Sequence, residues 1–224
     1  LFCQRMCYIN DELHIYSGKR IEKDNRWIDY NMKTKSHYEL AEYLLRQYPA
    51  PLSGMSGFAL KFGSILPDLC FYTHIQSHRY KGSFERIEKK LNRLAQRGRM
   101  SRLDIIRLGV QLHYLADYFT YPHNECFEGS MKEHHRYEEL LCKGMKDIFE
   151  SVDMYYTSSA PDPKGAEELM RVIRTAHESY SLEEKMLETD CEYIINVCAV
   201  YFRTMYEMMA ALEARPVFRL RAAE

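Results

Sequence analysis

Two residue pairs and one turn carry the chemistry of this sequence. His113 and Asp117 stand four apart, His134 and Glu138 repeat that spacing, and Pro122-His123 lies between them. Positions i and i+4 of a helix share a face, with Cβ atoms about 6 Å apart, so each pair can aim an imidazole and a carboxylate at one ion. Pro122 turns the chain and returns His123 as a fifth donor. Imidazole and carboxylate without thiolate form the ligand set of catalytic zinc or a similar divalent ion, and a carboxylate can bridge two ions, so a binuclear or larger centre can be built here. His135 and Glu139 offer a competing register. Adjacent helical positions differ by about 100°, so only one register can face inward, and periodicity alone does not choose.

The elements that must position these donors read as helices. Leu40, Ala41, Leu44 and Leu45 recur at helical spacing over Thr34 to Tyr48, with Ser36 and Glu39 as a capping box and Pro49 and Pro51 as stops. A glycine-containing segment from Gly54 to Asp68 reads as a turn region that leaves Asp68 just beyond it. Phe84 to Arg97 reads as an amphipathic helix ended by Gly98. Arg102 to Phe119 reads as a buried helix opened by Ser101-x-x-Asp104 and closed before Pro122. Lys132 to Ser151 follows. Asp162 and Pro163 are expected to open a helix ending near Tyr180, and Ser181-x-x-Glu184 to cap a last one of about 30 residues. Met186, Leu187, Ile194, Ile195, Tyr201, Phe202, Met205 and Met209 would form its apolar stripe. No stretch sustains alternation of period two, so the fold class is all-α.

Composition bounds the rest. The chain has 224 residues, 46% hydrophobic and 13% aromatic, which fits one domain and excludes a disordered polymer. No apolar run approaches the ~20 residues that span a bilayer. Lys and Arg number 31 against 32 Asp and Glu, a net charge of -1, so bulk charge gives no reason to expect a nucleic-acid partner. Seven cysteines without a CxxC pair indicate neither a disulfide framework nor a zinc ribbon, and fit reduced thiols. Six of nine histidines fall between positions 74 and 135. Cys70 and Cys126 are expected to be small buried hydrophobes, and Cys3, Cys7 and His14 have no standard metal-site spacing. Tyr114, Tyr118, Phe119 and Tyr121 are expected mostly in the core. The basic stretch from Lys89 to Arg102 reads as a solvated face, with transient membrane-surface contact as a second use.

The ordered set His113, Asp117, His123, His134 and Glu138 resembles the H-x3-D-x5-H and H-x3-E pattern of the zinc-dependent phospholipase C family, within the S1/P1 nuclease superfamily. Gly63-Ser-Ile-Leu-Pro-Asp68 followed by His78 is similar to the family's upstream Asp and His, with His74 as the alternative to His78. Ser36-His37 resembles its early Ser-His. The resemblance covers roughly residues 36 to 140 and selects the His134 and Glu138 register. It implies a multi-helix bundle holding one zinc by Asp68, His78, His113 and Asp117, a second by His123, His134 and Glu138, and a third by His37 with Asp117 bridging. It also implies a phosphoric diester hydrolase in which metal-bound hydroxide attacks phosphorus and Asp68 serves as base or water-orienting group, acting on a phosphodiester or phospholipid.

The family's secreted members bind the third zinc through an N-terminal Trp, whereas Trp27 is internal here. Two or three ions are therefore expected. Residues 1 to 31 lack a periodic apolar face and a signal-peptide core, and Met32 reads as a natural start, so they are expected to be an extension outside a single helical domain of residues 32 to 224, with a cytoplasmic setting. Two alternatives stand beside the phospholipase reading: a phosphodiesterase acting on a small soluble or nucleotide-type ester, and a noncatalytic helical binding protein stabilised by its metal.

Overall fold

In a computed structural model the chain is described over residues 26–47, 55–69, 78–97, 101–151 and 161–213. Among the described residues there are seven α-helices and one 3-10 turn, and no strand. They are α1 (Arg26–Gln47), α2 (Met55–Leu69), α3 (Tyr80–Ala95), α4 (Arg102–Tyr118), the turn Tyr121–His123, α5 (Met131–Ser151), α6 (Ala166–Leu182) and α7 (Leu187–Glu213). The all-α expectation holds. No helix of the described residues is long and apolar enough to cross a membrane. Cys3, Cys7, His14, Cys70 and His74 lie outside the described residues.

The centre of the bundle is α4. Every residue from Gln111 to Thr120 is buried, because α2, α3, α7 and α1 pack around this stretch. A helix surrounded on all sides cannot be strongly amphipathic, so its polar residues need internal partners. Gln111 accepts a hydrogen bond from the Tyr201 hydroxyl at 2.9 Å. At the N-terminus Ser101 and Asp104 form the expected capping box, and the Asp104 carboxylate also accepts from Arg97 at 2.9 Å and Arg107 at 2.7 Å. Leu108, Leu112, Tyr114, Leu115 and Tyr118 join Leu40, Leu44, Leu60, Leu91, Ile194 and Phe202 in one continuous core. Each such side chain contributes about 1.5–3 kcal/mol by leaving water.

The segment read as a glycine turn is instead α2, with Pro67 tolerated in its last turn. Gly63 serves packing, while Gly54 lies outside the described residues. A Cβ on Gly63 would lie 2.2 Å from the Ile106 carbonyl oxygen, and one on Gly109 would lie 2.3 Å from that of Leu60. The two glycines face each other's helix and let α2 and α4 form the most extensive interface in the bundle. Asp68 consequently sits on the last turn of a helix held against α4, not beyond a loop.

Other boundaries also moved. The first helix begins at Arg26, so Ser36 and Glu39 lie inside it and cap nothing. Gly165, rather than Asp162, is the N-cap of α6, and Pro163 precedes the helix. Ser181 lies within α6 and bonds back to the Glu178 carbonyl, so α7 opens only at Leu187 and has 27 residues. Met186 is exposed rather than part of the stripe, and Cys126 is exposed rather than buried. The Met209 side chain is outside the description. A capping box unnoticed in the sequence, Ser130-x-x-Glu133, opens α5: Ser130 N–H donates to the Glu133 carboxylate at 2.7 Å and Glu133 N–H to Ser130 Oγ at 3.3 Å.

Candidate metal centre

The helical register of α4 puts His113 and Asp117 one turn apart on the face toward α1 and α2. Both are buried, at 1% and 3% exposure. His113 Nδ1 lies 2.9 Å from the Ser64 carbonyl oxygen on α2. A carbonyl can only accept, so Nδ1 carries the proton and Nε2 presents its lone pair inward. There Nε2 is 3.2 Å from Asp117 Oδ2 and 3.8 Å from Asp68 Oδ1. His78, just before α3, places Nδ1 2.8 Å from Asp117 Oδ2 and 3.2 Å from His113 Nε2. On α1, His37 places Nε2 3.3 Å from Asp117 Oδ1, and its ring lies tilted with its centroid 3.9 Å from that of His113.

A second cluster adjoins the first. Pro122 ends the path of α4 in the 3-10 turn and delivers His123, whose Nε2 is 3.2 Å from Glu138 Oε1 and 3.8 Å from Asp117 Oδ1. His134 Nε2 is 2.8 Å from the same Glu138 oxygen. Asp117 therefore touches both clusters. Burial alone would push its carboxyl up, but His123 and His113, with hydrogen bonds from His113 and His37, hold it well below the usual carboxylate range.

These residues fit a cation. Three sets of donors lie within 4.8 Å of one another: His37, Asp68 and His113; His78, His113 and Asp117; His123, His134 and Glu138. All of these residues but His113 and His134 line a cavity of about 120 Å3 whose lining contains no Lys or Arg among the described residues. Asp68 Oδ2 is buried with no hydrogen-bond partner there. An orphaned buried carboxylate oxygen is costly, and a bound cation removes that cost. Nitrogen and oxygen donors without thiolate suit zinc, and shared carboxylates suit more than one ion.

A family model described as zinc dependent phospholipase C matches residues 36–195. The chain belongs to the zinc-dependent phospholipase C family. No curated protein and no solved structure is found to be similar. The family match spans every residue of both clusters, and at family level it supports a phosphodiester hydrolase.

All eight site residues expected in this phospholipase C family member lie in or beside the cavity, including His37 from α1 and Asp68 from α2. Of the two registers on α5, the His134 and Glu138 pair meets His123. The grouping differs in one respect from the ligand sets that the resemblance implies. Asp68 clusters with His37 and His113, whereas His78 clusters with His113 and Asp117. Tyr114, Tyr118 and Phe119 are core residues, while Tyr121 is partly exposed. Two residues near the site carried no sequence signal: His177, whose imidazole stacks on Tyr80 at 3.6 Å, and Asp190, fully buried on α7. Burial lowers the pKa of His177 to about 4, with Lys185 adding to the effect.

Proposed function

We propose that the chain is a zinc-dependent hydrolase that cleaves a phosphodiester bond in the manner of a phospholipase C. The observation carrying this reading is the convergence of His37, Asp68, His78, His113, Asp117, His123, His134 and Glu138 on one small cavity in which Asp68 Oδ2 has no partner. Zinc bound there supplies Lewis acidity toward phosphoryl oxygens and brings the pKa of water to about neutrality. The chain's own residues prepare the site for that chemistry. The Ser64 carbonyl fixes the His113 tautomer, and Asp117, held well below the usual carboxylate range, offers Oδ2 to His78 and His113 and Oδ1 to both His37 and His123. Asp68, whose buried Oδ2 accepts no hydrogen bond within the protein, takes a proton from an attacking water or orients it. Leu40, Leu141, Met145 and Ile194 form the apolar wall, which lowers the local dielectric and strengthens attraction between carboxylates and cations. The phospholipid class of the substrate rests on family membership.

Metal content and turnover test the reading together. Zinc-loaded, desalted protein is expected to retain two or three ions, and retention of fewer than about one per chain overturns the enzyme assignment, because the chemistry needs the metal. Hydrolysis of chromogenic phosphodiester and phosphorylcholine esters is expected to fall by about 10²–10⁴ in Asp68→Asn, with zinc content measured alongside. Unchanged turnover removes Asp68 from the mechanism. Preference for a nucleotide-type diester over phospholipid assigns the soluble-ester alternative.

A further inference from the structure

Asp190 belongs to none of the three donor sets, yet its carboxylate receives hydrogen bonds from three other elements. The Tyr121 backbone N–H donates to Oδ2 at 2.6 Å, the Tyr137 hydroxyl donates to Oδ2 at 2.9 Å, and the Tyr180 hydroxyl donates to Oδ1 at 2.7 Å. Tyr121 is the first residue of the turn that ends in His123. Tyr137 sits on α5 between His134 and Glu138, and Tyr180 sits on α6. One buried oxygen thus ties the backbone that carries His123 to the helix that carries His134 and Glu138.

The direction of the Tyr137 side chain matters. Successive helical residues point about 100° apart, so Tyr137 leaves α5 away from Glu138 and reaches α7. Holding its hydroxyl fixes the rotation of α5 about its own axis, which decides whether His134 or His135 faces His123. Holding the Tyr121 N–H fixes the turn. Asp190 is 0% exposed, and burying a carboxylate is worthwhile only where its lone pairs are filled, as three donors achieve here. A core position on a helix otherwise lined with Ile194, Val197, Cys198 and Tyr201 has no packing need for a charge.

We propose that Asp190 is a positioning residue for the His123, His134 and Glu138 group, setting the turn and α5 in the mutual placement that lets the group hold zinc. This rests on the reading of that group as a zinc site. Ligand groups oriented by residues behind them lose about 10–100-fold in metal affinity when those residues are removed.

Zinc affinity of the full chain, measured by competition with a chromogenic chelator, provides the test. Asp190→Ala is expected to weaken one binding step by about tenfold while circular dichroism shows an intact helical fold. Asp190→Asn is expected to recover most of the loss, since its carbonyl oxygen can still accept from Tyr121 and Tyr137 while its amide donates to the Tyr180 hydroxyl. With His134→Ala already present, Asp190→Ala is expected to add nothing. Equal affinity in Asp190→Ala and the parent overturns the proposal, as does a loss that persists undiminished beside His134→Ala, which would mark a merely structural role. Where Asp190→Ala does not fold, Tyr137→Phe cuts one of the three bonds and is expected to weaken the same step severalfold, and no change there also overturns it. If His134→Ala itself leaves zinc binding unaltered, the group is not a zinc site and both readings fall; a silent Asp190→Ala beside a damaging His134→Ala removes only the positioning role.

Discussion

At the scale of single residues, the imidazole of His113 can coordinate only through Nε2, because the Ser64 carbonyl claims the proton on Nδ1. A backbone carbonyl leaves no trace in side-chain identity, so this constraint was invisible in the sequence although His113 itself was evident. Asp190 was hidden for a related reason. Its three donors come from residues 10, 53 and 69 positions away, and no local spacing announces them. Burial pushes its carboxyl from 3.8 up to about 6, while the bonds from Tyr180, Tyr121 and Tyr137 oppose that rise. The folded chain therefore holds this proton more tightly than the unfolded chain does. The resulting stability is fully present below about pH 4 and is lost as pH rises through about 6, a change of about 3 kcal/mol. Urea denaturation in the presence of chelator is expected to show the wild type losing stability relative to Asp190→Asn by about this amount between pH 4 and pH 7. A difference independent of pH would contradict the perturbed carboxyl.

At the scale of elements, the contact between α2 and α4 decides the geometry of the first cluster, because one helix carries Asp68 and the other His113 and Asp117. Gly63→Ala and Gly109→Ala place a methyl against backbone at 2.2 Å and 2.3 Å, which neither helix can yield without separating. Each is expected to cost about 1–3 kcal/mol in thermal or urea unfolding and to weaken zinc binding, since the ligands move apart with the helices. Gly165→Ala, with nothing within 4 Å of the added Cβ, is the steric control: as the N-cap of α6 it is expected to cost up to about 1 kcal/mol and to leave zinc binding unchanged. A Gly63→Ala protein as stable as that control would contradict the close-packing role. In the sequence, Gly63 together with Gly54 and Gly57 reads as part of a turn. Glycine serves both a turn and a close helix crossing, and only the partner helix distinguishes the two uses. Ser101-x-x-Asp104 capped α4 as read, whereas Ser36 and Ser181 fell inside helices, because a capping motif acts only where neighbouring packing lets the helix begin.

At the scale of the molecule, the donors come from α1, α2, the approach to α3, α4, the 3-10 turn and α5, so any ion held among them ties most of the bundle together. Unfolding scatters those ligands, so zinc at 100 times its dissociation constant is expected to add about 2.7 kcal/mol per site. For a chain of this size that corresponds to a rise of about 5–10 °C in Tm, which calorimetry with and without chelator measures. A Tm insensitive to both zinc and chelator would contradict the metal centre. Acid acts on the same centre, because protonated histidines cannot coordinate; zinc is expected to leave as the pH is lowered, and dialysis followed by metal analysis reads this directly.

Apolar spacing of helical period, with no stretch of period two, determined the all-α class, and the order and spacing of His113, Asp117, His123, His134 and Glu138 determined the donor chemistry and the family resemblance, because i, i+4 pairing is a local property of a helix that sequence writes directly. Periodicity leaves open which register of α5 faces inward; in the tertiary structure the His134 and Glu138 pair meets His123, and Tyr137 between them is anchored on Asp190. Only the tertiary structure could bring His37 and Asp68 to that cluster, fix the His113 proton and join the two clusters through Asp117. Those are contacts between helices distant in the chain, set by complementary surfaces such as Gly63 against Ile106 rather than by any residue's immediate neighbours.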